Sequence, residues 1–127
     1  MKQIKIGLLG FGTVGTGVSK LIEQQKEELQ QRLQAELVIE KVLVRDASKK
    51  RDCSLAQEVF TTDVNEVISH PEIDIVVEVM GGVEHTKEYV KQALKHHKHV
   101  VTANKDMLSL HLKELSEIAE QNKVGLL

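Results

Sequence analysis

Ile4-Lys5-Ile6-Gly7-Leu8-Leu9-Gly10-Phe11-Gly12-Thr13-Val14-Gly15 carries a β-branched, apolar run straight into G-x-G-x-x-G and then into a helix-forming stretch. That order is the phosphate-cradling turn of a dinucleotide-binding fold. Gly10 permits the tight strand-to-helix turn, Gly12 lets backbone approach a pyrophosphate with no Cβ in the way, and Gly15 lets the helix pack closely on the strand. The helix then points its unpaired N–H groups and positive dipole end at the phosphates. Phe11, Thr13 and Val14 therefore join the three glycines as candidate cofactor-binding residues. Three glycines at this spacing occur in many loops, and it is the preceding strand that makes the pattern informative.

Downstream, strand-like and helix-like stretches alternate. Apolar Val14, Val18, Leu21, Ile22, Leu29 and Leu33 fall at helical spacing and predict one long helix over 13–35 with a polar distal half. The β-branched stretch 37–44 predicts a second strand, and Val59-Phe60-Thr61 a short extended segment. Thr62 or Asp63 then caps a helix running to about Ser69. The nearly continuous apolar run 73–79 suits a central parallel strand covered on both faces. Met80-Gly81-Gly82 closes that run with a second glycine turn, a helix follows over 86–96, then a strand at His99-Val100-Val101-Thr102 and a helix over 108–121. Residues 123–127 read as the opening of another strand. Alternation at these lengths means βαβ units, and right-handed crossovers assemble them into a doubly wound parallel sheet of Rossmann type, three layers deep. The expectation is a single dinucleotide-binding domain, 1–127, excised from a longer protein.

Composition narrows the function. With 127 residues, 41% hydrophobic and 28% charged, the chain has the makeup of an ordinary globular domain, short for a complete dinucleotide-dependent enzyme. A net charge of -2 gives no general attraction to nucleic acid or anionic membrane, and no apolar run is long enough to span a bilayer. A cytoplasmic location is the default expectation, since the N-terminus lacks a secretory-signal profile. Cys53 stands alone and reads as a structural or incidental thiol. His96, His97 and His99 fall at a helix end, where cations are favourable, and no metal site is expected.

In such a sheet ligands lie outside the carboxyl ends of the strands. At the end of the second strand stands Arg45, with Lys49, Lys50 and Arg51 close behind. An arginine there accommodates a 2′-phosphate, so the reading favours NADP over NAD through Arg45 and Lys50. Asp46 serves a ribose diol instead if it turns inward, and a basic loop is also what solvation alone produces. Met80, Gly81 and Gly82 either bring backbone near the nicotinamide ribose or form a plain strand-to-helix turn. Glu78, inside the apolar strand, is either a carboxylate satisfied by backbone or lysine partners or a site residue. Thr102-Ala103-Asn104-Lys105 is the sharpest cluster after the glycine turn. Asn104 caps the next helix or reaches the nicotinamide region, and Lys105 puts an ammonium where a carbonyl oxygen gains charge during hydride transfer. A plain surface lysine is the competing reading.

Gly10-Phe11-Gly12-Thr13-Val14-Gly15-Thr16-Gly17, Glu78-Val79-Met80-Gly81-Gly82 and Lys98-His99-Val100-Val101-Thr102-Ala103-Asn104-Lys105 together resemble the nucleotide-binding half of homoserine dehydrogenase. The likeness runs the length of the chain. It implies an enzyme that reduces aspartate 4-semialdehyde to homoserine with NADPH or NADH, on the route to threonine and methionine. It assigns Lys105 as the active-site lysine of this half, Arg45 as the arginine for the 2′-phosphate, and Asn104 and Gly81 to the cofactor lining. His97 stands where the family often has glycine, and His85-Thr86 where it often has Pro-Ala. The likeness also implies that substrate carboxylates, a second lysine, a cation site and most of a homo-oligomer interface lie beyond residue 127. On that basis the fragment binds nucleotide without turnover. Two other readings remain: a regulatory NAD(H)-sensing module without chemistry, and another sugar or amino-acid dehydrogenase with a similar nucleotide domain.

Overall fold

The structure is a computed structural model and describes residues 2–127. Strand β1 (Lys2–Leu9) lies at the centre, hydrogen-bonded to β2 (Ala35–Leu43) on one side and β4 (Ile75–Glu78) on the other. The short β3 (Phe60–Thr61) extends the sheet beyond β2, and β5 (His99–Thr102) extends it beyond β4. All pairings are parallel and the order is β3-β2-β1-β4-β5. The order reverses at β1, so the crevice between its end and that of β4 is the topological switch point. Past β5, Leu126 bridges Val100 in parallel, where a full closing strand is expected from the sequence.

Consecutive strand residues point to opposite faces. Leu8 and Val42 accordingly join one core cluster with Ile6, Ile39 and Phe60, while Leu9 and Leu43 join the other with Val76, Val90, Leu94, Val100, Met107 and Leu115. Helix α1 (Thr13–Gln24) covers the first cluster through Val18 and Ile22. Helices α3 (Asn65–Ile68), α4 (Glu84–Lys95) and α5 (Lys105–Gln121) cover the second through Val67, Val90, Leu94 and Leu115. This is the doubly wound, three-layer arrangement. Each fully buried leucine contributes about 1.5–3 kcal/mol against leaving it in water.

The long helix expected over 13–35 is two. It breaks at Gln25, and α2 (Lys26–Leu33) turns to lie against β2. Past Ile22 the positions facing the sheet turn polar at Gln25 and Lys26, so nothing apolar holds a straight continuation down. Helix α4 begins at Glu84 and α5 at Lys105, both earlier than the apolar periodicity implies. Asp63 takes the N-terminal role at α3, its Oδ1 accepting from the Asn65 N–H at 2.9 Å. His97 follows α4 with φ 63°, the left-handed conformation that glycine suits best and that histidine tolerates less readily. Cys53 packs against the β2 side of the core.

Candidate cofactor site

The strand ends are set by backbone hydrogen bonds on either side of β1: Gly10 N–H donates to Leu43 O of β2, and across the switch point Val79 N–H donates to Leu9 O, both at 3.0 Å. Gly10 adopts φ +104°, and Gly15 sits so close beneath it that a Cβ there would lie 2.6 Å from the Gly10 carbonyl oxygen. The glycine at 15 is what lets α1 start against the strand end. Helix α1 has no side-chain cap and no acidic residue in its first turn, which leaves its leading N–H groups directed outward for an anion. A Cβ at Gly12 would meet open space, as a cradle for a pyrophosphate requires.

Two cavities of about 640 and 560 Å³ share Val79 and Met80 as a common wall and together form a trench along the carboxyl edge of the sheet. Gly10, Phe11, Gly12, Arg45 and Met80 line the first; Val14, Met80, Gly81, Gly82, Asn104 and Lys105 line the second. Thr13 and Gly15 lie in the first turn of α1 without lining either. Thr102 is buried behind the second cavity. Lys50 is exposed on the loop and lines neither cavity, while its neighbour Arg51 lines the first.

Arg51 is held in place. Its guanidinium donates to Asp46 O at 2.9 Å and Lys49 O at 3.0 Å and lies 4.8 Å from the centre of the Phe60 ring. Phe60 meets Phe11 of the glycine turn edge to face at 5.2 Å, so one stack ties the basic loop to the phosphate cradle. The Asp46 carboxylate is occupied by Ser48, whose N–H and hydroxyl donate to Oδ1 at 3.0 and 2.7 Å. Those bonds hold the Asp46 carboxyl below its usual range, and it does not line the cavity. The wall of the first cavity thus presents Arg45, Arg51 and His85 and no carboxylate, which suits a phosphate-bearing ligand.

The second cavity is mixed in charge, with Glu78, Lys105 and Asp106 on its lining. Lys105 is exposed at the first position of α5 and, among the described residues, has no ion-pair partner. Asn104 directs both ends of its side chain inward: Oδ1 accepts from Met107 N–H at 3.1 Å and caps α5, and Nδ2 donates to Gly82 O. Glu78 is satisfied by backbone and a hydroxyl rather than by a lysine. His96, His97 and His99 each pair through Nδ1 with a different backbone group, at Gln92, Asn122 and Gly125.

Sequence reasoning missed Tyr89, Thr62 and Asp106 as lining residues, and ranked Lys50 over Arg51. The signal for Tyr89 was its spacing from His85, four residues along α4 and so on one face.

The family profile described as homoserine dehydrogenase, NAD binding domain, matches residues 10–127. The chain belongs to the homoserine dehydrogenase family. Homoserine dehydrogenase from Bacillus subtilis (strain 168) is 49% identical over 122 residues, covering 96% of this chain and 28% of that protein. A crystal structure of S. aureus homoserine dehydrogenase at pH 8.5 superposes with a TM-score of 0.92 at 51% identity, covering 99% of this chain and 32% of that one. One from Thiobacillus denitrificans gives 0.90 at 39% identity, with 99% and 29% covered. The chain therefore spans less than a third of the length of these relatives and corresponds to their nicotinamide-dinucleotide-binding domain. Family membership favours the dehydrogenase reading over a regulatory nucleotide sensor. Among the described residues no helix is long and apolar enough to cross a membrane.

Proposed function

We propose that this domain binds NADPH in preference to NADH and forms the nucleotide half of a cytoplasmic, homo-oligomeric enzyme interconverting aspartate 4-semialdehyde and homoserine. The observation that carries the reading is the polarity of the trench. Two arginines stand at one end, a glycine turn with outward N–H groups in the middle, and an exposed lysine beside a glycine-lined recess at the other. A nicotinamide dinucleotide with a 2′-phosphate presents that sequence of groups, and the engaged Asp46 argues against a ribose-diol contact.

Bound NADPH supplies the hydride for an aldehyde carbon. The chain's own residues orient it: Arg45 and Arg51 hold the 2′-phosphate, the first turn of α1 holds the pyrophosphate, and the backbone at Met80–Gly82 forms the floor of the nicotinamide end. Lys105 places an ammonium beside that end, positioned to stabilise negative charge on the substrate oxygen. Substrate selection rests with the remainder of the family enzyme.

The test is calorimetric titration of the domain with NADPH and NADH at low and moderate salt. A preference for NADPH that shrinks as salt rises is the expected result. Equal or NADH-favoured binding overturns the assignment of Arg45 and Arg51.

A further inference from the structure

Glu78 is a carboxylate in the interior of a parallel sheet, 1% exposed, at the last residue of β4. Burying such a group is costly unless each oxygen finds donors. Here both do, and the donors come from two separate segments of the chain. Oε2 accepts from Met80 N–H at 2.9 Å and Gly81 N–H at 3.2 Å, in the glycine turn that leads to α4. Oε1 accepts from the hydroxyl of Thr102, the last residue of β5, 24 positions along the chain. The same Thr102 oxygen accepts from Asn104 N–H at 3.1 Å, the residue that caps α5, and the Asn104 side chain donates back to Gly82 O. One ring of hydrogen bonds thus runs from the glycine turn through Glu78, Thr102 and Asn104 and returns to the turn.

That ring encloses the recess assigned above to the nicotinamide. Gly81 and Gly82 sit at φ 77° and 80°, conformations with little intrinsic preference to hold them, and Lys105 is exposed on the first turn of a helix whose start is set by Asn104. The residues that border the recess, Met80, Gly81, Gly82, Ala103 and Lys105, are all exposed; α5 is anchored in the core only from Met107 onward, and the turn is otherwise held by the buried Thr86 hydroxyl donating to Gly81 O. Both oxygens of Glu78 are engaged by donors of the protein itself. We propose that Glu78 is the positioning residue of the nicotinamide end, setting the β4–α4 turn and the start of α5 at a fixed separation so that ring floor and Lys105 are placed together. The proposal rests on the cofactor reading above.

Glu78→Gln is the discriminating change because it conserves shape. The amide can face only one loop correctly: with its NH₂ group toward Met80 and Gly81 it opposes two N–H donors, and turned the other way it leaves the Thr102 hydroxyl proton without an acceptor. The affinities to compare are those for NADPH and for 2′-phospho-ADP-ribose, which is NADPH without the nicotinamide ring. Glu78→Gln and Thr102→Val are each expected to weaken NADPH binding by about tenfold while leaving 2′-phospho-ADP-ribose within about twofold of wild type. Thr102→Ser, which keeps the hydroxyl, is expected to restore NADPH binding. Preserved binding of the ring-less ligand shows that the variants are folded. Equal weakening of both ligands, or no weakening of NADPH, overturns the proposal. If the unaltered domain binds the two ligands equally well, the nicotinamide assignment of the recess fails and the proposal falls with it.

Discussion

Replacing Gly15 by alanine puts the sheet-to-helix junction under direct test. A Cβ at that position would stand 2.6 Å from the Gly10 carbonyl oxygen and 3.3 Å from Val79 Cγ2. The nearer neighbour is backbone, so no side-chain rotation relieves it, and the start of α1 must retreat by roughly 0.5–1 Å to regain ordinary contact. Overpacking of this kind costs about 1–3 kcal/mol, offset by about 1 kcal/mol from the better helix propensity of alanine. The net is a loss of about 0–2 kcal/mol, or up to about 8 °C in Tm. The effect on binding is larger in proportion, because the retreat carries the leading N–H groups of α1 away from the pyrophosphate. Losing one charge-assisted hydrogen bond lowers NADPH affinity by about ten- to a hundredfold. Gly17, two residues along the same helix, is the internal control, since a Cβ there meets nothing within 4 Å. Gly17→Ala is expected to stabilise the fold by about 0.4–1 kcal/mol without altering affinity. Calorimetric titration with NADPH beside thermal unfolding of both variants decides the matter. Gly15→Ala binding within about twofold of wild type would refute the close-packing argument.

Arg45→Ala and Arg51→Ala should each lower NADPH affinity by about tenfold and flatten its salt dependence while sparing NADH, whereas Lys50→Ala should change little; a titration in which Lys50 matters as much as Arg51 would reverse that assignment. Asn104→Ala removes the α5 cap and is expected to cost about 1 kcal/mol in urea unfolding, whereas Asn104→Asp keeps the cap and loses only the tie to Gly82. Lys98 is buried at the opposite end of the sheet, its ammonium donating to His70 O. Desolvation lowers its pKa below the ordinary 10.5, so the unfolded chain holds this proton more tightly. The group therefore costs stability below its folded pKa, and that cost fades as pH rises through it toward 10.5. Wild type should gain stability relative to Lys98→Met as pH rises toward 10.5 in urea titrations, and a constant gap would contradict the burial argument.

Local patterns foretold the elements that depend on local chemistry. The β-branched run into Gly10-Phe11-Gly12 was readable because it ends in glycines whose conformational meaning is narrow, and the strand His99–Thr102 because Val100, Val101 and Thr102 are all β-branched. The break at Gln25 was not, since Gln-rich sequence is compatible with unbroken helix and only the lack of an apolar anchor past Ile22 decides it. The choice between Lys50 and Arg51 turned on the Phe60 ring and on carbonyls of the folded loop, neither visible in a run of three cations. Glu78 stood out as an acid in an apolar strand, but its partner Thr102 lies in a different strand. Tertiary register alone brings them together, through the pairing of Glu78 with Thr102 across β4 and β5.

The trench also concentrates the chain's chromophores. There is no tryptophan, and the single tyrosine is Tyr89, on the wall of the first cavity. The two phenylalanines are Phe11 and Phe60, stacked on each other at the same end of the sheet. Tyrosine emission from this chain therefore arises from one side chain on the cavity wall, and its near-ultraviolet dichroism from that ring and the two phenylalanines that pack at the glycine turn. Occupancy and local order at the site can be followed optically on the unmodified chain, without the background from remote aromatics that obscures such signals in larger proteins.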